Sequence, residues 1–144
     1  MKTFLVAIAF TGSSFFSSGQ NIAVSEVPSV VMNTFKNTFP AALKEDWEKK
    51  DNNFEVEFKL GAAEHGAVLD AAGKLLLTKQ EVAAAEVPAA INNVIKQEYS
   101  RYTLDEAEKI VYNGQVYYEI ELSGFILDKE VIFSADGKPA SLPF

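Results

Sequence analysis

Two pairs of carboxylates offer the first chemistry to weigh. Glu55 and Glu57 stand two residues apart, and so do Glu119 and Glu121. On an extended strand such neighbours share a face at about 6–7 Å, a separation at which a glycosidase acid and its partner carboxylate can work. The same spacing is what the wet face of a half-buried sheet looks like, with polar residues at every second position, and this plainer reading is preferred. His65 is the only imidazole. A Ser–His–acid triad would have to use it, but no Gly-x-Ser-x-Gly elbow accompanies it, and in the repeat described below its counterpart is Lys129, so we read it as structural. Asp70 and Asp136 sit in glycine-containing turns without the alternating acids of a calcium loop. Their expected work is turn formation, since Asp accepts local backbone N–H groups and Gly takes positive φ. The chain contains no cysteine, which removes thiolate nucleophiles, disulfides, iron–sulfur sites and Cys-based zinc sites. No Gly-rich phosphate loop is present. The expectation is therefore no catalytic residue, no cofactor and no metal.

The chain that must position these groups has 144 residues, 48% hydrophobic and 23% charged, with a net charge of −7. That is one domain's worth of chain, too apolar for disorder. The negative charge disfavours nucleic acid and anionic membrane surfaces, and Lys49-Lys50 is the largest basic cluster. Residues 1–19 read as a secretory signal: Lys2 supplies the positive end, an apolar run follows from Phe4 to Phe10, and Ser17-Ser18-Gly19 places small side chains before a cut ahead of Gln20. The expected location is periplasmic or secreted, in a bacterial envelope, with no lipobox cysteine and no membrane anchor once the signal is removed. Residues 20–144 are then a single domain held together by its core alone.

That domain says the same thing twice. Val27-Pro28 followed by Val31 recurs as Val87-Pro88 followed by Ile91. Phe54-Glu55-Val56-Glu57-Phe58 recurs as Tyr118-Glu119-Ile120-Glu121-Leu122. Leu69-Asp70-Ala71-Ala72-Gly73-Lys74 recurs as Phe133-Ser134-Ala135-Asp136-Gly137-Lys138. Three matches in the same order indicate a duplication with units at 26–84 and 86–144. Each unit opens with a helix started by Val-Pro. Val31, Phe35 and Phe39 in the first, and Ile91, Val94, Ile95 and Tyr99 in the second, draw a one-sided apolar stripe. Strands follow at 43–48, 54–60, 64–69 and 74–79, then at 106–112, 115–123 and 128–133, the hairpin at Asn113-Gly114 being the strongest turn signal. The predicted fold is α+β: an antiparallel sheet of six to eight strands with two helices on one face, built from a duplicated helix–strand–strand–strand unit, with one extra strand open to the first copy.

Tandem Val-Pro helices, acidic alternating strands and Asp-Gly-Lys-type turns behind a signal peptide resemble the PepSY-like family, itself described as similar to the β-lactamase inhibitor protein. The resemblance spans about 26–140. It implies exported, non-enzymatic domains, and the association of related PepSY modules with peptidases implies inhibition or regulation of a hydrolase or peptidase. No inhibitory loop motif matches residue by residue, so no contact residues carry over. From the alternation itself, the side of the sheet away from the helices carries Glu55, Glu57, Lys59, Tyr112, Tyr117, Glu119 and Glu121, joined across the turns by Glu64, Asp128 and Glu130. Apolar and tyrosine side chains amid acids make this face the candidate protein- or peptide-binding surface. A terminal segment such as 141–144 folded over Ile110 and Tyr112 is the competing explanation of their position. The alternative function is an envelope small-ligand or cation-binding protein using scattered carboxylates.

Overall fold

The structure is a computed structural model that describes residues 19–143. The expected signal at 1–19 therefore lies outside the described residues, apart from Gly19. Eight strands form one antiparallel sheet in strict sequence order, so every strand pairs with its neighbours in the chain. They are β1 (Gln20–Ile22), β2 (Leu43–Lys50), β3 (Asn53–Leu60), β4 (Ala63–Asp70), β5 (Leu75–Glu81), β6 (Thr103–Tyr112), β7 (Gln115–Ser123) and β8 (Lys129–Ser134). Helix α1 (Ser29–Thr38) leads from β1 to β2, and α2 (Ala89–Glu98) leads from β5 to β6. The count stands at the top of the predicted six to eight, and the α+β class with its duplicated unit is as expected. Short β1 carries little sequence signal of its own.

Each helix start is built alike. Glu26 accepts the Ala23 N–H at 2.7 Å, Glu86 accepts the Ala83 N–H at 2.8 Å, and Pro28 and Pro88 sit at the N-cap, one position ahead of where the sequence placed them. Val31 and Phe35 of α1, and Ile91 and Ile95 of α2, are buried. α1 covers Trp47, Phe54, Val56, Phe58, Ala67 and Leu69, while α2 covers Ala107, Ile120, Leu122 and Phe133. The registers Val56↔Ala67↔Thr78↔Val111 tie both sets to one face, because Ala107 lies four residues from Val111 on β6.

The repeated turn explains its own sequence. Asp70 Oδ1 accepts the N–H groups of Ala72 and Lys74, both at 2.9 Å, and Ser134 in the second copy bonds Asp136 and the Lys138 carbonyl. Gly73 and Gly137 have φ of +81° and +86°, and a Cβ on either would stand 2.8 or 2.9 Å from a helix carbonyl, that of Val30 or Ala90. These glycines let each helix lie directly on its turn.

Candidate functional site

Strand parity sends every second residue to the side without helices. Cross-strand registers there read Glu48–Glu55–Val68–Leu77–Tyr112, then Glu57–Gly66–Lys79–Ile110–Tyr117, then Glu81–Glu108–Glu119, then Glu106–Glu121–Glu130. All seven sequence-selected residues lie on this face, but they are not equally available. Glu57 is exposed, and Lys59, Tyr112, Tyr117 and Glu121 are half-buried, whereas Glu55 and Glu119 are buried. Lys59 pairs with Glu64 at 2.9 Å, and Glu130 is exposed at the outer strand. Asp128 instead closes the β7–β8 loop.

Lys79 is the centre of the face, and sequence reasoning did not select it. Its side chain is 6% exposed, and its Nζ donates to Glu108 Oε2 at 2.7 Å. Gly66 on the adjoining strand leaves space for the stem; a Cβ there would meet Lys79 Cγ at 2.9 Å. Burial works against the ammonium charge, but the Glu108 carboxylate and Glu119 outweigh it and hold its pKa above the ordinary value. One signal existed in the sequence: a lysine two residues beyond Leu77 on an alternating strand falls on the Leu77 side. Its pairing with Glu108 needs the register.

The surrounding carboxylates are displaced the other way. Burial is the main cause in each case. It lifts Glu55 to about 7 and Glu119 to about 8, against the opposing pull of nearby lysines. Glu106 rises to about 7 through burial and the charges of Glu108, Glu81 and Glu121. Glu57 and Glu130 are also raised. Glu55 Oε2 and Glu119 Oε2 are buried without a hydrogen-bond partner. Such groups resist ionisation because no donor replaces the water they lose.

A third apolar cluster, Val68, Leu77 and Ile110, is buried on this same side, with Leu76, Tyr112, Tyr117 and Leu142 packed against it. Leu142 of the terminal segment packs against this cluster, which includes Ile110, in line with the competing explanation. After β8 the chain turns back, Ala140 N–H donates to the Ile132 carbonyl at 2.8 Å, and Leu142 reaches the cluster. Tyr112, Tyr117 and Leu142 thus border one and the same buried cluster.

On the opposite side, His65 stacks on Phe58, with ring centres 5.7 Å apart, and burial lowers its pKa. Its counterpart Lys129 lies over Tyr99 and Tyr102 at 5.9 and 5.5 Å. Both close the far end of a helix-covered core. A hollow of about 220 Å³ lies in the seam between the helix-covered halves, near His65, Thr78, Gln80 and Lys109, smaller than the usual ligand pocket of about 300–1,000 Å³. Among the described residues no three His, Asp or Glu side chains converge to hold a metal, and no helix is long and apolar enough to cross a membrane.

The family model described as "Putative beta-lactamase-inhibitor-like, PepSY-like" matches this chain twice, over residues 17–77 and 69–139. The two matches overlap over residues 69–77, from the end of β4 through the turn into the start of β5, the strand that pairs with both β4 and β6. No curated protein matches the chain. Among solved structures, a DUF2874 family protein from Bacteroides uniformis is 18% identical with a TM-score of 0.71, over 79% of this chain and 86% of that one. A structure from Bacteroides eggerthii, described as "putative periplasmic proteins", is 16% identical with a TM-score of 0.72, over 80% and 86%. A BLIP-like protein from Bacteroides fragilis is 17% identical with a TM-score of 0.64, over 79% and 83%. At such identities these likenesses establish the shared fold.

Proposed function

The chain belongs to the PepSY-like, beta-lactamase-inhibitor-like family, and from that membership we propose that it is an exported, non-enzymatic module that binds a protein or peptide through the helix-free face of its sheet. A hydrolase or peptidase that it inhibits or regulates is the partner class this family points to. The observation that carries the reading is the ladder Glu106–Glu121–Glu130, three glutamates in register on adjacent strands. Burial is the larger cause of the raised Glu106 and Glu130, repulsion from Glu121 adds to both, and among the described residues none of the three enters an ion pair. Basic side chains of a partner would relieve that repulsion, and charge complementarity of this kind sets specificity and association rate. Export is supported by the signal-like residues 1–19 and by the periplasmic description of one structural neighbour.

The test is chemical cross-linking in the native envelope fraction, followed by purification of the captured protein and measurement of its affinity. The double variant Glu121→Lys/Glu130→Lys should bind at least about tenfold more weakly, and the wild-type interaction should weaken with salt. Undiminished binding by the charge-reversed variant would overturn the proposal, as would a failure to capture any protein above an unrelated acidic control. The other reading, a small-ligand or cation binder, predicts calorimetric heat with calcium or magnesium alone.

A further inference from the structure

Two related hairpin ends differ in a way the repeat does not demand. In the first half β3 and β4 pair to their last residues, Lys59 with Glu64 and Leu60 with Ala63, around Gly61. The second half has the same number of residues between Leu122 and Lys129 as the first has between Phe58 and His65, yet its pairing stops at Leu122↔Lys129 and the chain opens into a loop. The loop is braced. Asp128 Oδ1 accepts the Gly124 N–H at 3.0 Å and the Ser123 hydroxyl at 3.2 Å. Gly124 passes so close to Tyr102 that a Cβ would meet its ring at 2.6 Å. This frame holds Phe125, Ile126 and Leu127 out in solvent, 103%, 86% and 71% exposed. Single exposed apolar residues are ordinary, but three large ones in a row on a braced tip mark a contact site.

We propose that Phe125, Ile126 and Leu127 form an anchor that enters an apolar pocket with a basic rim on a protein partner. This rests on the reading of the sheet face as a binding surface, because the loop projects from the end of the sheet that carries Glu121 and Glu130, with Asp128 at its base. Charge selects the occupant. A second copy of the chain would bring its net charge of −7 against the same acids, and an anionic lipid surface is repelled alike. A protein that surrounds an apolar pocket with lysine or arginine satisfies both the tip and its acidic surroundings. A protruding tip also reaches a concave site that the flat sheet cannot, and a few fully desolvated anchors dominate interfaces of this kind.

The experiment places a photo-crosslinking phenylalanine at position 125 in the full chain and, as a control, at exposed Lys96 on α2. The protein labelled from position 125 is purified, and its affinity is measured against wild type and the variant Phe125→Ser/Ile126→Ser/Leu127→Ser. The triple variant should keep its melting temperature, since these side chains touch no core, and bind at least roughly 30-fold more weakly, mainly through faster dissociation. Labelling of lipid or of a second copy of the chain from position 125 would overturn the anchor. If the triple variant binds within about twofold of wild type while Glu121→Lys/Glu130→Lys fails to bind, the anchor falls and the sheet-face reading stands. If both variants bind as wild type, both readings fall.

Discussion

At the scale of single residues the helix-free face is an electrostatic balance around Lys79. Replacing Lys79 with Met would leave Glu108 without its partner and Glu119 without its nearest positive charge. Breaking a buried pair from one side costs about 3 kcal/mol, so melting should fall by about 10 °C at pH 8. The loss should shrink at pH 5, where Glu119, whose pKa burial raises, holds its proton. The glutamates carry a second prediction. Glu55, Glu106 and Glu119 hold their protons up to about 7, 7 and 8 in the folded chain, against an ordinary value of 4.5. A raised carboxylate binds its proton more tightly when folded, so its stabilising contribution is complete below pH 4.5 and drains away as pH climbs through 7 to 8. Thermal melts should therefore show a maximum near pH 5 and a decline of about 5 °C by pH 8.5. Glu119→Gln should flatten that decline; an unchanged slope would mean that Glu119 ionises normally. The alternation in Phe54–Phe58 and Tyr118–Leu122 is enough to assign Glu55 and Glu119 to one face, while Glu106 lies outside both stretches. Their burial is not legible there, because it comes from side chains on neighbouring strands that only the register brings together.

At the scale of elements the duplication is written most plainly where geometry leaves little choice. The Val-Pro helix starts and the Gly-Lys ends of the turns recur unchanged, Val27-Pro28 as Val87-Pro88 and Gly73-Lys74 as Gly137-Lys138, whereas the cores they enclose do not. In register, Trp47 of the first half corresponds to Ala107 of the second and Phe58 to Leu122, while Ala67 becomes Val131 and Leu69 becomes Phe133. Large and small residues trade places, which a packed core tolerates when volume and pattern are kept. A glycine turned backwards against a helix has no such latitude. Gly73→Ala combines a strained positive φ with a methyl 2.8 Å from the Val30 carbonyl, and should cost about 2–4 kcal/mol. Gly114→Ala has a similar φ of +73° but meets nothing within 4 Å, so only the strain remains, about 1–2 kcal/mol. Denaturant melts of the two variants separate the contact from the conformation. The tail is a further element, and the sequence offers it only as a competing cover for Ile110 and Tyr112, because one leucine among Ser141, Leu142 and Pro143 has no period. Leu142→Ser should remove about 1 kcal/mol and raise the fluorescence of an apolar dye by uncovering Val68, Leu77 and Ile110. An unchanged dye signal would show that the tail does not seal them.

At the scale of the whole molecule, two helix-covered cores share one sheet, and β5 decides whether they behave as one body. Its Leu77 pairs with Val68 on one side and Tyr112 on the other, while Lys79 meets Gly66 and Ile110. The cluster on the helix-free side draws Val68 from β4, Leu77 from β5 and Ile110 from β6. Neither half can therefore melt without stripping hydrogen bonds and apolar cover from the strand that belongs to both. Trp47 is the only tryptophan, buried in the first half against Phe35, so its fluorescence reports that half alone while far-ultraviolet dichroism reports both. The two signals should trace one denaturant transition. Ile120→Ala cuts the core of the second half at a fully buried position and should cost about 3 kcal/mol. If β5 couples the halves as its pairings require, that loss moves the Trp47 transition by the same amount as the dichroism. A tryptophan signal that stays in place while the dichroism splits into two steps would mean that each copy of the repeat is its own folding unit, joined only at a seam.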